Sequence, residues 1–182
     1  MARTQYYTAM TLDGFLADEN HSLDWLFTRD QRPDGLNNYT EFFKDVGALA
    51  MGSTTYEWVF DHEFKDKPQS EWFWPYETPT WVFTHRELRL VPNADLRFTS
   101  APVGDVHGEM VDAAAGKNVW IVGGGDLAGQ FADEGLLDDV LVMIAPVTVG
   151  RGAPLLPRRL ELRLEETAPN GDFVAARYTV VR

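Results

Sequence analysis

Three adjacent glycines follow an apolar run in "VWIVGGGDLAGQF", Val119 to Phe131, and they are the first residues of this chain that suggest chemistry. The run before them is typical of a strand, and the apolar residues after them have helical spacing. Such a junction exposes backbone N–H groups at a helix N-terminus, and glycines let a pyrophosphate approach them closely. A tight turn with close strand–helix packing explains the glycines equally well, so both interpretations stay open.

A second junction of the same kind is "MGSTTYE", Met51 to Glu57. Thr54 and Glu57 have capping-box spacing, and helix capping alone explains the hydroxyl residues here better than ligand binding does. Both junctions follow strands, however, and open α/β sheets bind ligands at the carboxyl ends of their strands. Together, the two junctions predict a site in which a nucleotide diphosphate lies across both helix starts.

A third stretch, "VFTHRE", Val82 to Glu87, ends another predicted strand. Arg86 is either an ordinary surface charge or the partner of a ribose 2′-phosphate, which would favour NADP over NAD. Gly123, Gly125 and Ala128 match the G-x-G-x-x-G/A dinucleotide fingerprint. The chain after them is too short for the second βαβαβ half that usually accompanies the fingerprint, so we exclude a two-half Rossmann fold.

Composition limits the classes of protein that this chain fits. Its 182 residues are 45% hydrophobic, which suits a single domain spanning residues 1–182. The net charge of -12 argues against nucleic-acid and anionic-membrane partners. The chain has no cysteine and its four histidines are scattered, so no metal site is predicted. Without a signal-peptide h-region or a long apolar run, we expect a cytoplasmic protein.

The order of predicted elements is βαβαββαβαβ, followed by a hairpin around "PNG". Alternating strands and helices predict a three-layer αβα sandwich with a mixed, mostly parallel sheet, to which the C-terminal hairpin adds antiparallel strands. The stretch from His62 to Thr78 contains the aromatic cluster "EWFWPY" and is expected to be an irregular loop. This cluster either roofs a pocket or packs at a subunit interface.

Four segments, in this order, resemble the dihydrofolate reductase-like family: "YYTAMTLDGFLA", "ALAMGSTTYEWV", "TWVFT" and "VWIVGGGDLAGQFADEGLLDDVLVMIAPVTVGRGAPLL". The resemblance covers nearly the whole chain. It is strongest to the reductase domain at the C-terminus of the bifunctional riboflavin-biosynthesis deaminase-reductase and to its stand-alone relatives. It implies a mixed sheet flanked by helices, an NADPH cofactor, hydride transfer to a small pterin- or pyrimidine-like ring, and a homodimer. Since no deaminase segment precedes residue 1, we expect a stand-alone reductase.

The resemblance also implies which residues contact the cofactor. They fall into four groups, at the nicotinamide, the adenosine-side phosphates, the adenine ribose and the pyrophosphate. In that order, the groups are Ala9 and Ala17; Gly52, Ser53 and Thr54; Thr84, His85 and Arg86; and Val122, Gly123, Gly124, Gly125, Asp126 and Leu127.

Two positions depart from the family pattern. Dihydrofolate reductases often have an arginine after the glycine that corresponds to Gly52, whereas this chain has Ser53. Binding of a 2′-phosphate would therefore depend more on Arg86. Asp126 stabilises the helix dipole, but it would repel a phosphate unless its side chain turns away.

Reduction of a ring nitrogen also calls for a proton donor. Asp24 and Trp25, in "SLDWL", are the catalytic candidates, because the indole could stack on a flat ring and an apolar wall raises the pKa of a carboxyl group. A helix cap at Asp24 and core packing of Trp25 explain the pair slightly better. Glu41 is a second candidate acid, and Arg151 lies between two glycines, either facing a substrate phosphate or on a surface turn.

Two other functions fit the same residues. The chain could be a catalytically silent NADP(H)-binding module that serves as a sensor or assembly partner. It could also bind a flavin or a sugar phosphate at the glycine junction. Cofactor preference and turnover distinguish these functions from a reductase.

Overall fold

Ten β-strands and five α-helices make up most of residues 2–182, the part of the chain that the computed structural model describes. The strands are β1 (Thr4–Thr11), β2 (Phe15–Asp18), β3 (Val46–Gly52), β4 (Thr80–Phe83), β5 (Leu96–Thr99), β6 (Asn118–Gly123), β7 (Asp139–Ala145), β8 (Gly152–Pro154), β9 (Leu162–Asn170) and β10 (Phe173–Val180). The helices are α1 (Asp24–Phe27), α2 (Tyr39–Lys44), α3 (Ser53–Phe64), α4 (Val103–Ala113) and α5 (Gly125–Asp133), with a 3₁₀ turn at Gln69–Glu71.

Eight strands form one sheet in the order β5-β4-β3-β6-β1-β7-β10-β9. The six strands from β5 to β7 are parallel, whereas β10 and β9 are added antiparallel as the C-terminal hairpin. The predicted mixed, mostly parallel sheet is therefore confirmed. Two short strands, β2 and β8, pair antiparallel in a separate sheet that the sequence analysis did not predict.

Each face of the large sheet carries its own apolar core, because successive side chains of a strand point to opposite faces. In β7, Val140 and Val142 join the core beneath α4 and α5, whereas Leu141 and Met143 join the core beneath α2 and α3. The two layers of helices and the sheet between them confirm the three-layer αβα sandwich.

The aromatic cluster after α3 packs inward and does not form a roof. Trp74 is buried, and its ring centroid lies 5.3 Å from that of Tyr56 in α3. Tyr76 contacts the ring of Trp120 edge-on at 5.9 Å. Phe73 is the exception, with 75% of its surface exposed. The cluster therefore mainly extends the core on the α3 side of the sheet.

Two predictions of local structure were wrong. No capping box forms in α3, because the helix begins at Ser53 with Gly52 as its N-cap, which places Thr54 inside the first turn. Glu57 pairs instead with Arg86, at 2.8 Å. The hairpin turn also lies further along than "PNG" suggested: β9 continues through Asn170, which leaves the two-residue turn 171–172 that short hairpins favour.

The predicted asparagine cap of α2 is confirmed, because the side chain of Asn38 accepts a hydrogen bond from the backbone N–H of Glu41 at 3.1 Å. Among residues 2–182, none of the helices has the length and apolarity needed to cross a membrane.

Candidate active site

A cleft of about 490 Å³ opens where β1, β3, β4 and β6 end. It is lined by most of the residues that the sequence analysis assigned to a cofactor, together with the predicted stacking residue. These are Ala9, Ala17, Trp25, Gly52, Ser53, Thr54, Val122, Gly123, Gly124, Gly125, Asp126 and Leu127. The structure therefore brings both glycine junctions to one site. Four further predicted residues lie outside the lining, namely Asp24, Thr84, His85 and Arg86.

The starts of α3 and α5 meet in this cleft. Gly52 is the N-cap of α3 and Gly124 is the N-cap of α5, so neither cap has a side chain to accept from the first-turn N–H groups. A Cβ built on Gly52 would lie only 3.8 Å from the backbone nitrogen of Gly124. Two positive helix ends thus face the same space, an arrangement that binds anions such as diphosphates.

The glycines of the "GGG" run have different structural roles. At Gly125, a Cβ would lie 2.3 Å from the carbonyl oxygens of both Pro154 and Leu155, so the backbone of α5 packs directly on the segment of β8. At Gly124, a Cβ would meet no atom within 4 Å. From the sequence alone, packing and room for a ligand explained the run equally well. The structure shows close packing at Gly125 and open space at Gly124.

Arg86 lies just outside the cleft, in contact with Ser53, the first residue of α3. Its Nη2 atom donates to the hydroxyl of Ser53 at 2.8 Å and pairs with the carboxylate of Glu57 at the same distance. The Thr84 hydroxyl accepts from the backbone N–H of Arg86 at 2.9 Å, which fixes the turn after β4. The guanidinium therefore stands beside the positive end of α3.

Asp126 does not present a free carboxylate. Its two oxygens accept from Arg158 and from Gln130, each at 3.0 Å. Arg158 also pairs with Asp133 at 2.8 Å. The charge of Asp126 is thus partly offset by a guanidinium, although Asp126 still lines the cleft and does not turn away from it.

The small sheet of β2 and β8 forms another wall of the cleft. Asp13, in the turn before β2, accepts from the Thr11 hydroxyl at 2.6 Å and from the backbone N–H groups of Gly150 at 2.7 Å and Val149 at 3.1 Å. These hydrogen bonds join the turn to the segment before β8. They favour the charged carboxylate and hold the pKa of Asp13 below its ordinary value, the Thr11 bond contributing most.

Helix α1 turns its two catalytic candidates in different directions. Trp25 lines the cleft, whereas Asp24 is exposed and outside the lining. Leu23 and Leu26 also line the cleft, so this short segment presents these apolar side chains to the site and Asp24 to the solvent. The other candidates are engaged in surface ion pairs, Glu41 with Lys44 at 2.7 Å and Arg151 with Glu19 at 3.4 Å.

Several lining residues were not predicted from the sequence. Trp58 follows Thr54 by four positions on α3, so helical spacing was the signal that could have identified it. Its ring is stacked with those of His62 and Phe27, at centroid distances of 4.8 Å and 6.0 Å. The remaining unpredicted residues near α1 are Leu16, His21, Leu23 and Leu26. No periodicity marks them, because Leu16 lies on the short strand β2, His21 and Leu23 lie on an irregular segment, and the helix that carries Leu26 is only one turn long.

Comparison with known proteins places these features in a family. Residues 53–168, more than half of the chain, match the family model described as the RibD C-terminal domain. The uncharacterized protein YwjB of Bacillus subtilis (strain 168) is 30% identical over 97% of each chain. The riboflavin biosynthesis protein RibD of Haemophilus influenzae is 25% identical, and the match covers 98% of this chain but 59% of that protein.

A crystal structure described as that of a "putative riboflavin biosynthesis protein" from Shewanella sp. PV-4 has the same fold. The TM-score is 0.80 at 22% identity, and the match covers 100% of both chains. The family match, the relative of similar length and the shared fold agree with one another. The chain belongs to the RibD C-terminal domain family.

Proposed function

We propose that this protein is an NADPH-dependent reductase that transfers a hydride to a small, flat heterocycle of the pterin or pyrimidine type. The observation that carries the proposal is the meeting of two glycine-capped helix starts in one cleft at the ends of parallel strands. Membership of a reductase-domain family supports the same conclusion.

The residues of the cleft fit a dinucleotide. The N–H groups at the starts of α3 and α5 would bind the pyrophosphate, and the open space at Gly124 would allow its close approach. Ala9 and Ala17 have small side chains on the cleft wall, and they would leave room for the flat nicotinamide. NADPH, when bound, supplies the hydride, whereas the protein holds the two rings in contact and excludes water.

Arg86 is the residue that we propose for selecting NADPH over NADH. Its guanidinium already stands beside Ser53 at the start of α3, where a 2′-phosphate would gain both a charge partner and a hydroxyl donor. The phosphate would have to compete with Glu57, the present partner of Arg86. Because both side chains of this ion pair are about half exposed, breaking it costs little.

The test measures consumption of NADPH through the absorbance of the reduced nicotinamide. The candidate substrates are a panel of dihydropterins and amino-pyrimidinones. We expect oxidation that needs both protein and ring, and that falls in the Gly124→Ala variant. NADPH binding without turnover of any ring would instead identify a silent binding module. Purified protein that carries flavin absorbance would contradict the NADPH assignment.

The silent module is a second candidate function because of Asp24. This side chain is exposed and outside the lining, so the predicted carboxyl donor does not reach the substrate side. Water could still deliver the proton in an active enzyme. Turnover and binding measured on the same sample separate the two functions.

We also propose a homodimer, in line with the family resemblance. Support comes from the edge strand β9 and its neighbour β10, on which Leu164 is 53% exposed and Val174 is 49% exposed. Light scattering coupled to size exclusion tests this proposal directly, since a monomer mass at micromolar concentration would contradict it.

A further inference from the structure

The cleft has a second half, away from the helix starts, with a different chemistry. It is formed by β2, the segment after it, α1 and the middle of α3. Its lining, which we call the substrate half, consists of Leu16, His21, Leu23, Trp25, Leu26 and Trp58. Every one of these side chains except His21 is apolar or aromatic.

From this lining we infer that the substrate is an uncharged, flat ring that carries no phosphate or carboxylate group. The inference rests on the proposed function, because it assigns the other half of the cleft to NADPH. It narrows that function by excluding phosphorylated or carboxylated substrates.

The aromatic lining favours a flat ligand. Trp25 and Trp58 come from different helices, and both line the cleft. Trp58 is held in place by its parallel neighbours: its ring plane lies within 11° of that of His62 and within 4° of that of Phe27. Aromatic faces fixed in this way stack well on heterocyclic rings, and an indole fixed before binding loses little conformational entropy.

The charges around the substrate half disfavour an anion. Among residues 2–182, the cleft lining includes neither a lysine nor an arginine. Arg151 and Arg158 both lie outside the cleft lining, Arg151 beside Glu19 at 3.4 Å and Arg158 at the other end of the cleft beside two aspartates. The segment that borders this half also carries three acidic residues, namely Asp18, Glu19 and Asp24.

The positive potential of the site is concentrated in the cofactor half. The starts of α3 and α5 both lie there, and their effect falls off within the first helical turn. A phosphate or carboxylate in the substrate half would lose its hydration without gaining a lysine or arginine partner from the lining, which makes its burial unfavourable. A neutral ring loses far less on leaving water and gains the stacking contacts.

Matched pairs of ligands test the inference. The pairs are pterin with pterin-6-carboxylate, uracil with orotate, and uridine with uridine 5′-monophosphate, each titrated by calorimetry into protein with and without saturating NADP⁺. We expect the dissociation constant of the neutral member to be lower than that of the anionic member by about tenfold or more. Equal or tighter binding of the anionic member in any pair would overturn the inference. So would the failure of every neutral ring to bind at millimolar concentration.

A charge-addition variant tests the cause of the preference. Leu23→Lys places a cation in the substrate half, and we expect it to raise the affinity for the anionic members about tenfold relative to their neutral partners. Leu12→Lys is the matched control, because Leu12 is 65% exposed and does not line the cleft. An unchanged anion affinity in Leu23→Lys would contradict the electrostatic argument.

These measurements separate the inference from the proposed function. If NADPH binds but the neutral rings show no advantage, only the inference fails. If NADPH does not bind, the proposed function fails, and the titrations without cofactor still decide whether the substrate half selects neutral rings.

Discussion

Adding one methyl group at either of two adjacent glycines provides the sharpest test of the cleft. Gly124→Ala and Gly125→Ala are the same chemical change one residue apart. At Gly124 the backbone has φ −90° and ψ −176°, which alanine adopts freely, and the new Cβ meets no atom within 4 Å. At Gly125 the new Cβ would lie 2.3 Å from two carbonyl oxygens. The first change therefore affects ligand binding, whereas the second affects folding.

The magnitude at Gly125 follows from the contacts of the neighbouring segment. Since an ordinary carbon–oxygen contact is about 3.3 Å, the backbone of residues 154–155 would have to move by about 1 Å. That segment is held on both sides, because the N–H of Leu155 donates to the carbonyl of Gly14 at 2.9 Å and its carbonyl accepts from the hydroxyl of Tyr6 at 2.9 Å. Overpacking of this kind costs about 1–3 kcal/mol, which alanine's better helix propensity offsets by at most about 1 kcal/mol.

The expected results are a fall in Tm for Gly125→Ala and a loss of affinity for Gly124→Ala. For a chain of this size, about 2 kcal/mol lowers Tm by roughly 4–8 °C. Gly124→Ala should melt within about 3 °C of the wild type and bind NADPH about tenfold more weakly, because its methyl group occupies the space proposed for the pyrophosphate. Tryptophan fluorescence reports both melting and titration. Wild-type affinity in Gly124→Ala would refute the assigned ligand position, and wild-type melting in Gly125→Ala would refute the packing argument.

Three further substitutions test other parts of the structure. Arg86→Ala should weaken NADPH binding about tenfold and leave NADH binding unchanged. Arg89 is also an exposed arginine with an acidic partner, Asp61, and Arg89→Ala should change neither affinity. Asn37→Ala removes three side-chain hydrogen bonds, two of them buried, at a residue with φ 60°, so urea unfolding should show a loss of about 2–4 kcal/mol. Burial lowers the pKa of His107 below the unfolded value of about 6.5, so acidification through that value protonates the unfolded chain first and reduces stability. His107→Gln should flatten the pH dependence of Tm below about pH 6.5, and an unchanged slope would contradict this.

The elements of the large sheet were predictable because each carries its own local signal. The signal consists of consecutive residues, as in the apolar run of β6 and the glycine at the start of α5, Gly124. The small sheet was not predictable, since β8 has only three residues, Gly152 to Pro154, and exists through pairing with a distant strand. Its wall of the cleft therefore depends on long-range contacts that no local pattern encodes.

The two halves of the site also differ in how far local sequence could predict them. The cofactor half was found because binding of phosphates by backbone requires glycines and helix starts, which have recognisable sequences. The substrate half consists of side chains selected for shape and polarity. Trp25 and Asp24 were equally visible in the sequence, but only the one-turn helix α1 decides that Trp25 faces the cleft and Asp24 faces the solvent. Trp58 was detectable only from its spacing along α3.

Titration of the purified wild-type protein with NADPH and, separately, with NADH tests the central claim most directly. If the two helix starts and Arg86 form a dinucleotide site, NADPH will quench the fluorescence of the cleft tryptophans at micromolar concentration, and NADH will bind about tenfold more weakly. If neither nucleotide binds, the open space at Gly124 is not a cofactor site and the proposed reductase activity is wrong.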